Sequence, residues 1–298
     1  MGYGYLADRN RVPTATLTSS AAYQANAPLD NVKTLPLVAA AVTTTLGTAG
    51  GPVTITGAFP ERYPCTYGGL FDTNLRQAAR WRLELFSSAV TLDATTRLFD
   101  TRGADGADRA VIPSLTDWRD LRWGDPNLFR GDLPPEDFAL YPTHVHCIVP
   151  VCRPAAFRWT LYGPAYEADN SEATGYSIGH MWLSDGVPLA RHMDSEDVYT
   201  PTDEITRFPG GGVSVEPGTG YRSVTIQRAV AARGLRDALF DMARRVDWSR
   251  PVVWLPDVDS LGDCFRYGGL FQKREPHANR WIAPKLTAGA IHLEEITV

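Results

Sequence analysis

Three patterns in the sequence bring together residue types that do chemistry. The first is GYSIG at Gly175–Gly179, which matches G-x-S-x-G, the turn that lifts a serine hydroxyl above a parallel sheet. That turn needs an apolar strand before the serine and a helix after it. Polar EADNSEAT precedes the motif and HMWLSDG follows it, ending in a turn signal at Asp185–Gly186. Ser177 is therefore expected to be an ordinary residue and not a nucleophile. The second pattern is HVH, where His144 and His146 fall on one face of a strand because side chains alternate at period two. A metal site would need a carboxylate and a further histidine, and the following CIVPVCRP supplies no acid. Only His180 or His192, both distant in sequence, offers completion. Two strand histidines at a surface or interface are expected, with no metal and no cofactor. The third pattern is acidic: Asp257 and Asp259 follow VVWLP, and Asp194, Glu196 and Asp197 cluster in one loop. Paired acids hydrolyse glycosides only at defined separations, so solvated loops are the expectation. None of the three predicts an enzyme.

These residues must be held by elements that composition already constrains. The 298-residue chain is long enough for two domains, and its 44% hydrophobic and 21% charged residues suit packed cores. A net charge of −5 gives no basic field for a phosphate backbone, which argues against nucleic acid as a partner. The longest mainly apolar run, Leu35–Leu46, is too short and too rich in threonine to span a bilayer, and the first residues lack the pattern of a signal peptide. Cys65, Cys147, Cys152 and Cys264 form no C-x-x-C pair and read as buried free thiols.

Glycine and proline punctuate short alternating segments rich in Val, Thr, Tyr, Trp and Phe, the signature of β-structure. In RWRLELF, Trp81, Leu83 and Leu85 share one face and Arg80, Arg82 and Glu84 the other, as in a half-buried strand. One long helix is expected where Leu235, Leu239, Met242 and Val246 make a stripe, and a shorter one from Ser114 to about Trp123. The predicted fold is mainly β: a nearly all-β part followed by a smaller α+β module with that helix. The predicted divisions are an extended N-terminal arm at 1–45, the all-β domain at 46–193, a linker at 194–212 and the α+β module at 213–298. The segment YGGLF occurs twice, at Tyr67–Phe71 and Tyr267–Phe271, each followed at the same distance by Arg-Trp. It lacks the spacing of a phosphate loop. A glycine turn or bulge used once in each of two β-rich modules is expected.

Several runs stand in a characteristic order: YGGLFDTNLRQAARWRLELFSS, LFDTRG, TDWRDLRWG, RWTLY, GYSIGHMWLSDGVPL, RSVTIQRAVAARGLRDALFDMARR, VVWLPDVDS and the closing IHLEEITV. Together they resemble tail-tip virion proteins of long-tailed bacteriophages, of the distal-tail type. The resemblance implies that residues 46–193 form a jelly-roll (galactose-binding-like) β-sandwich, with a ring-forming strand-helix-strand part and no catalytic constellation. It also implies a homo-oligomeric structural component that joins tail tube to tip, hub or fibre proteins, assembled in the host cytoplasm and located in the virion. The alternative reading is a carbohydrate-binding, receptor-recognising module, with a glycan hydrolase third. Aromatic side chains stack on sugars and anchor interfaces. Trp123 and Trp182, near predicted loops, and Tyr176 are the candidate interface or glycan contacts.

Overall fold

The computed structural model describes residues 3–102, 106–111, 143–166, 171–189, 195–207, 213–216, 218, 220–231, 233–275, 280–283 and 286–297. In chain order the strands begin with β1 (Gly4–Ala7), β2 (Thr16–Ser19), β3 (Ala41–Val42), β4 (Val53–Ala58), β5 (Cys65–Thr73) and β6 (Arg80–Phe86). They continue with β7 (Arg97–Asp100), β8 (Arg109–Ala110), β9 (Val145–Cys152), β10 (Ala156–Tyr162), β11 (Ser177–Ser184), β12 (Val187–Leu189) and β13 (Glu196–Thr200). The remainder are β14 (Glu204–Arg207), β15 (Val213–Glu216), β16 (Tyr221–Ala231), β17 (Pro251–Leu255), β18 (Gly269–Lys273), β19 (Arg280–Ala283) and β20 (Leu286–Glu295). Among the described residues the α-helices are α1 (Arg233–Arg245) and α2 (Leu261–Tyr267). The chain is mainly β, as its composition predicts. It divides into two compact units, one made of residues 9–186 with 257–268, the other of 1–8, 187–256 and 269–297.

The first unit is a β-sandwich. One sheet runs β2-β4-β10-β6-β7, with β8 also on β6, and the other runs β3-β11-β5-β9. Every pairing in both sheets is antiparallel. Alternation decides which side chains enter. Ile55, Trp81, Leu83, Phe157, Trp159 and Leu161 point in from the first sheet and meet Leu70, Val145, Cys147, Met181 and Leu183 from the second. Each such side chain contributes roughly 1.5–3 kcal/mol by leaving water. Gly68 brings the layers together: a Cβ there would lie 2.6 Å from Leu83 Cδ2 and 3.3 Å from Leu183 Cδ2, so the glycine leaves room for both leucine side chains.

The second unit is α+β. Its sheet runs β12-β1-β17-β18-β20-β16-β13, with β19 on β20. Leu239, Met242 and Val246 are buried and Leu235 packs against them, so the predicted helical stripe faces a core with Leu6, Val252, Trp254, Phe271 and Ile291. Arg244 and Arg245 end α1, where cations suit the helix dipole, and Arg245 Nε donates to Asp8 Oδ2 at 2.8 Å.

The predicted divisions need correction. Residues 1–45 are not an extended arm: β1 pairs with β12 and β17, β2 with β4, and β3 with β11. Residues 194–212 are not a linker, since β13 pairs with β16 and β14 with β15. The α+β unit is discontinuous, collecting strands from both ends of the sequence. Backbone hydrogen bonding explains both errors. A threonine- and alanine-rich segment with little apolar bulk still satisfies its N–H and C=O groups by joining a neighbouring sheet. The helix expected from Ser114 lies outside the described residues.

The YGGLF repeat also departs from expectation. In the first copy both glycines sit within β5 with no turn. In the second, Tyr267 ends α2, Gly268 caps it at φ −76°, and Gly269 opens β18. The two strands nevertheless pair alike. Gly69 opposes Trp182 and Leu70 opposes Met181; Gly269 opposes Trp254 and Leu270 opposes Val253.

Candidate functional site

Two faces of the sandwich concentrate polar chemistry. On the second sheet, away from the shared core, Tyr67 and Phe71 of β5, His146 of β9 with the adjoining His144, and His180 and Trp182 of β11 form one layer of buried rings. His144 and His146 are 5.9 Å apart by ring centroid, and Phe71 stacks edge-on against both at 5.2 and 5.6 Å. The Tyr67 hydroxyl shares a 2.7 Å hydrogen bond with His146 Nδ1, and the Asp72 N–H donates to His144 Nδ1 at 3.1 Å. A Cβ on Gly69 would collide with the Tyr67 hydroxyl, so the glycine makes space for that bond.

The hydrogen bonds around His180 fix its tautomer. Asn10 Oδ1 accepts the N–H groups of Val12 and Leu183, which fixes the amide's orientation. Its Nδ2 then donates to His180 Nε2 at 3.0 Å and to the Met181 carbonyl at 2.8 Å. His180 Nε2 must be the acceptor, which leaves the proton on Nδ1 facing the Thr34 carbonyl at 3.2 Å. Burial pushes its pKa down to about 4, against the smaller upward pull of Thr34, so the ring is neutral at pH 7. Asp72, a non-glycine residue at φ 51°, is pushed up to about 6 by burial. Among the described residues no group of three His, Cys, Asp or Glu side chains is placed to hold a metal ion. His144 and His146 do share a face, as their spacing predicts, but the face is buried and not a surface.

The outer face of the first sheet has the opposite character. Alternation sends Thr54 and Thr56 of β4, Arg158 and Thr160 of β10, and Arg80, Arg82 and Glu84 of β6 to this side. Registers align Thr18, Thr56, Arg158, Glu84 and Asp100 into a single row across five strands. At the usual strand spacing the row runs ~19 Å. Glu84 is its anchor. Its side chain is 3% exposed, with Oε2 accepting from Arg158 Nε at 2.9 Å and Nη2 at 2.8 Å, and Oε1 from Arg97 Nη1 at 3.1 Å. Arg82 Nε lies 3.4 Å from Oε2.

Asp100 extends the network, accepting from Arg97 at 2.6 Å and from Arg102 Nε and Nη2 at 2.9 and 2.7 Å. Burial would raise the Asp100 pKa, but the hydrogen bonds and charges of Arg102 and Arg97 outweigh it and hold it below the ordinary carboxylate value. Arg82, Arg97, Arg158 and Arg102 keep 20–31% of their side chains exposed. Beside them, Arg82 Nε, Asp108 Oδ1 and Thr160 Oγ1 make no hydrogen bond among the described residues. The result is a surface whose guanidinium groups are held by carboxylates and stay partly exposed. It can offer oriented hydrogen bonds and positive charge to a ligand lying across the strands.

The candidate residues chosen from sequence fall elsewhere. Trp182 and Tyr176 are buried and not contact residues. The Trp182 indole donates to Ser184 Oγ at 2.8 Å, and the Tyr176 hydroxyl donates to the Gly163 carbonyl at 2.8 Å. A ring that must bury its apolar body and satisfy its polar tip packs inward when the strand offers both. Trp123, His192 and Asp194 lie outside the described residues. Ser177 opens a strand, and its N–H donates to Asn74 Oδ1 at 2.8 Å. Asp257 accepts the Asp259 N–H in the turn before α2, and Glu196 and Asp197 belong to β13. The arginine row was missed, although R-W-R-L-E already separated its polar face from its core face. What the sequence lacked was the register that sets Arg158 opposite Glu84.

No family model matches the sequence, and no curated protein matches it. Among solved structures, a fucose binding module of Streptococcus pneumoniae aligns with a TM-score of 0.35 at 7% identity, covering 59% of this chain and 95% of its own. The lectin domain of lectinolysin complexed with Lewis B antigen gives 0.34 at 5% identity, over 59% and 96%. Chitosan-binding module 1 derived from a chitosanase/glucanase of Paenibacillus sp. IK-5 gives 0.34 at 12% identity, over 59% and 99%. No described helix is long and apolar enough to cross a membrane.

Proposed function

We propose that the chain is a non-catalytic binding protein whose sandwich recognises carbohydrate on the outer face of the β2-β4-β10-β6-β7 sheet. One observation carries this reading: a row of threonine hydroxyls, guanidinium groups and carboxylates held in register across five strands. Sugars present many hydroxyls and are bound by oriented donors and acceptors whose immobilisation cost is already met in the free protein. Glu84 and Asp100 meet that cost for the arginines here. Printed glycan arrays probed with the full chain test the reading. A defined set of glycans should bind, and Thr56→Trp, which places a bulky ring in the middle of the row, should abolish that signal while the protein stays folded. Binding unchanged by Thr56→Trp would remove this face from the account.

A second reading, a homo-oligomeric structural subunit of a phage tail tip, is favoured by a different observation. Edge strand β13 leaves Val198 40% and Tyr199 67% exposed, and β14–β15 stands as a separate two-stranded sheet. Open strand borders invite pairing with another chain, and an isolated hairpin is marginal without it. Light scattering on the purified chain tests this reading. A closed ring should appear as a discrete multiple of 32.7 kDa, and Val198→Lys should return it to a monomer.

A further inference from the structure

Resting on the carbohydrate reading, we infer that the arginine row selects a carboxylate-bearing polysaccharide, one containing acidic sugars, over neutral glycans. The face formed by β6, β7 and β10 holds Arg80, Arg82, Arg97, Arg102 and Arg158 against Glu84, Asp100 and Asp108. That is a surplus of two positive charges on a chain whose net charge is −5. A positive island on an acidic protein concentrates anions locally while the rest of the surface repels them.

The guanidinium groups are also unevenly used. Arg97 spends Nη1 on both Glu84 and Asp100, and Arg158 spends Nε and Nη2 on Glu84. Arg97 Nη2 and Arg158 Nη1 have no such bond in these pairs. A carboxylate approaching from solvent meets planar donors already held in place, the arrangement that favours charge-assisted, paired hydrogen bonds. Arg158 is further fixed by its position over the Phe86 ring, 5.1 Å from the centroid. Thr56 and Thr18 continue the row where charge ends, with Thr54 opposite Thr160 beside it, so hydroxyls of the same chain would find neutral partners beside the acidic unit.

The test is affinity electrophoresis of the full chain in gels containing polygalacturonate, a neutral galactan, or duplex DNA. Polygalacturonate should retard the protein, and raising salt from 50 to 300 mM should weaken that retardation severalfold. Arg158→Ala and Arg97→Ala should each reduce it at least tenfold, and Arg158→Lys should fall between, because it keeps charge but loses the planar fork. Arg102→Ala, at a more exposed position that leaves Glu84 paired, should reduce it severalfold and guards against loss of folding in the first two. Retardation by galactan but not polygalacturonate would overturn this inference and leave the carbohydrate reading standing. Retardation by neither would overturn both. Equal, arginine-dependent retardation by DNA would show a general polyanion site and would also overturn it.

Discussion

The two copies of YGGLF are identical in sequence and only half alike in structure. From the second glycine onward they match: each G-L-F segment is a strand, each glycine opposes a tryptophan, and each phenylalanine is fully buried. Before that glycine they diverge. Tyr67 is buried within a strand and hydrogen-bonded to His146, whereas Tyr267 closes a helix and is 41% exposed. The cause is upstream. Ser260 accepts the Asp263 N–H and caps α2, which commits the residues after it to helix, while Cys65 and Tyr67 already pair with β9 on either side of a bulge. A five-residue match therefore fixes a pairing register but not the conformation that leads into it.

The largest test of that comparison is truncation of the opposing tryptophans. Trp182→Ala and Trp254→Ala should each cost about 3–5 kcal/mol in denaturant unfolding, since both leave a large buried cavity. A much smaller loss at one of them would break the equivalence. Alanine at the shared glycine should instead separate the copies. Gly69→Ala collides with the Tyr67 hydroxyl and approaches the Val145 carbonyl to 3.1 Å, and should cost about 1–3 kcal/mol. At Gly269 the nearest atom is the movable Glu295 Oε1 at 3.2 Å, so Gly269→Ala should cost less than half as much.

A third test uses acid, because Asp72 follows the first copy and Gln272 the second. His180 has a folded pKa of about 4 against an ordinary 6.5, so the unfolded chain binds its proton first and stability is lost as pH falls from about 6.5 to about 4. Asp72 has a folded pKa of about 6 against 3.8, so the folded chain binds its proton first and stability is gained as pH falls from about 6 to about 3.8. The two oppose each other. Relative to the parent, Asp72→Asn should make the fall in Tm between pH 6.5 and 4 steeper, and His180→Gln should make it shallower. The smallest effect concerns the cysteine before each copy. Burial pushes the Cys65 thiol up and Cys264 up to about 12, so neither should react with a thiol reagent at pH 8 in the folded protein. Cys152, half-buried, should react first.

Much of the architecture could be read from patterns alone. R-W-R-L-E-L-F divides into a core face and a polar face, and Leu235, Leu239, Met242 and Val246 make one helical stripe, because alternation and helical period are local properties. The candidate site was less legible. Trp182 and Tyr176 look like contact residues because aromatics near predicted loops often are, yet each finds an interior partner for its polar tip. The threonine-rich N-terminal segment has no apolar pattern of its own, and nothing local announces that Gly4–Ala7 will join strands from the far end of the chain.

Sequence by itself determined that β-structure prevails and that strands such as β6 divide into a core face and a polar face. These follow from side-chain chemistry repeated at a fixed period along the backbone. Only the tertiary structure decided that Arg158, Glu84 and Arg97 share one carboxylate-centred network, that His180 is a buried neutral ring, and that the α+β unit is assembled from both termini. Each of those depends on which strand lies beside which, and strand neighbours are chosen by long-range hydrogen bonding and packing that no local window contains.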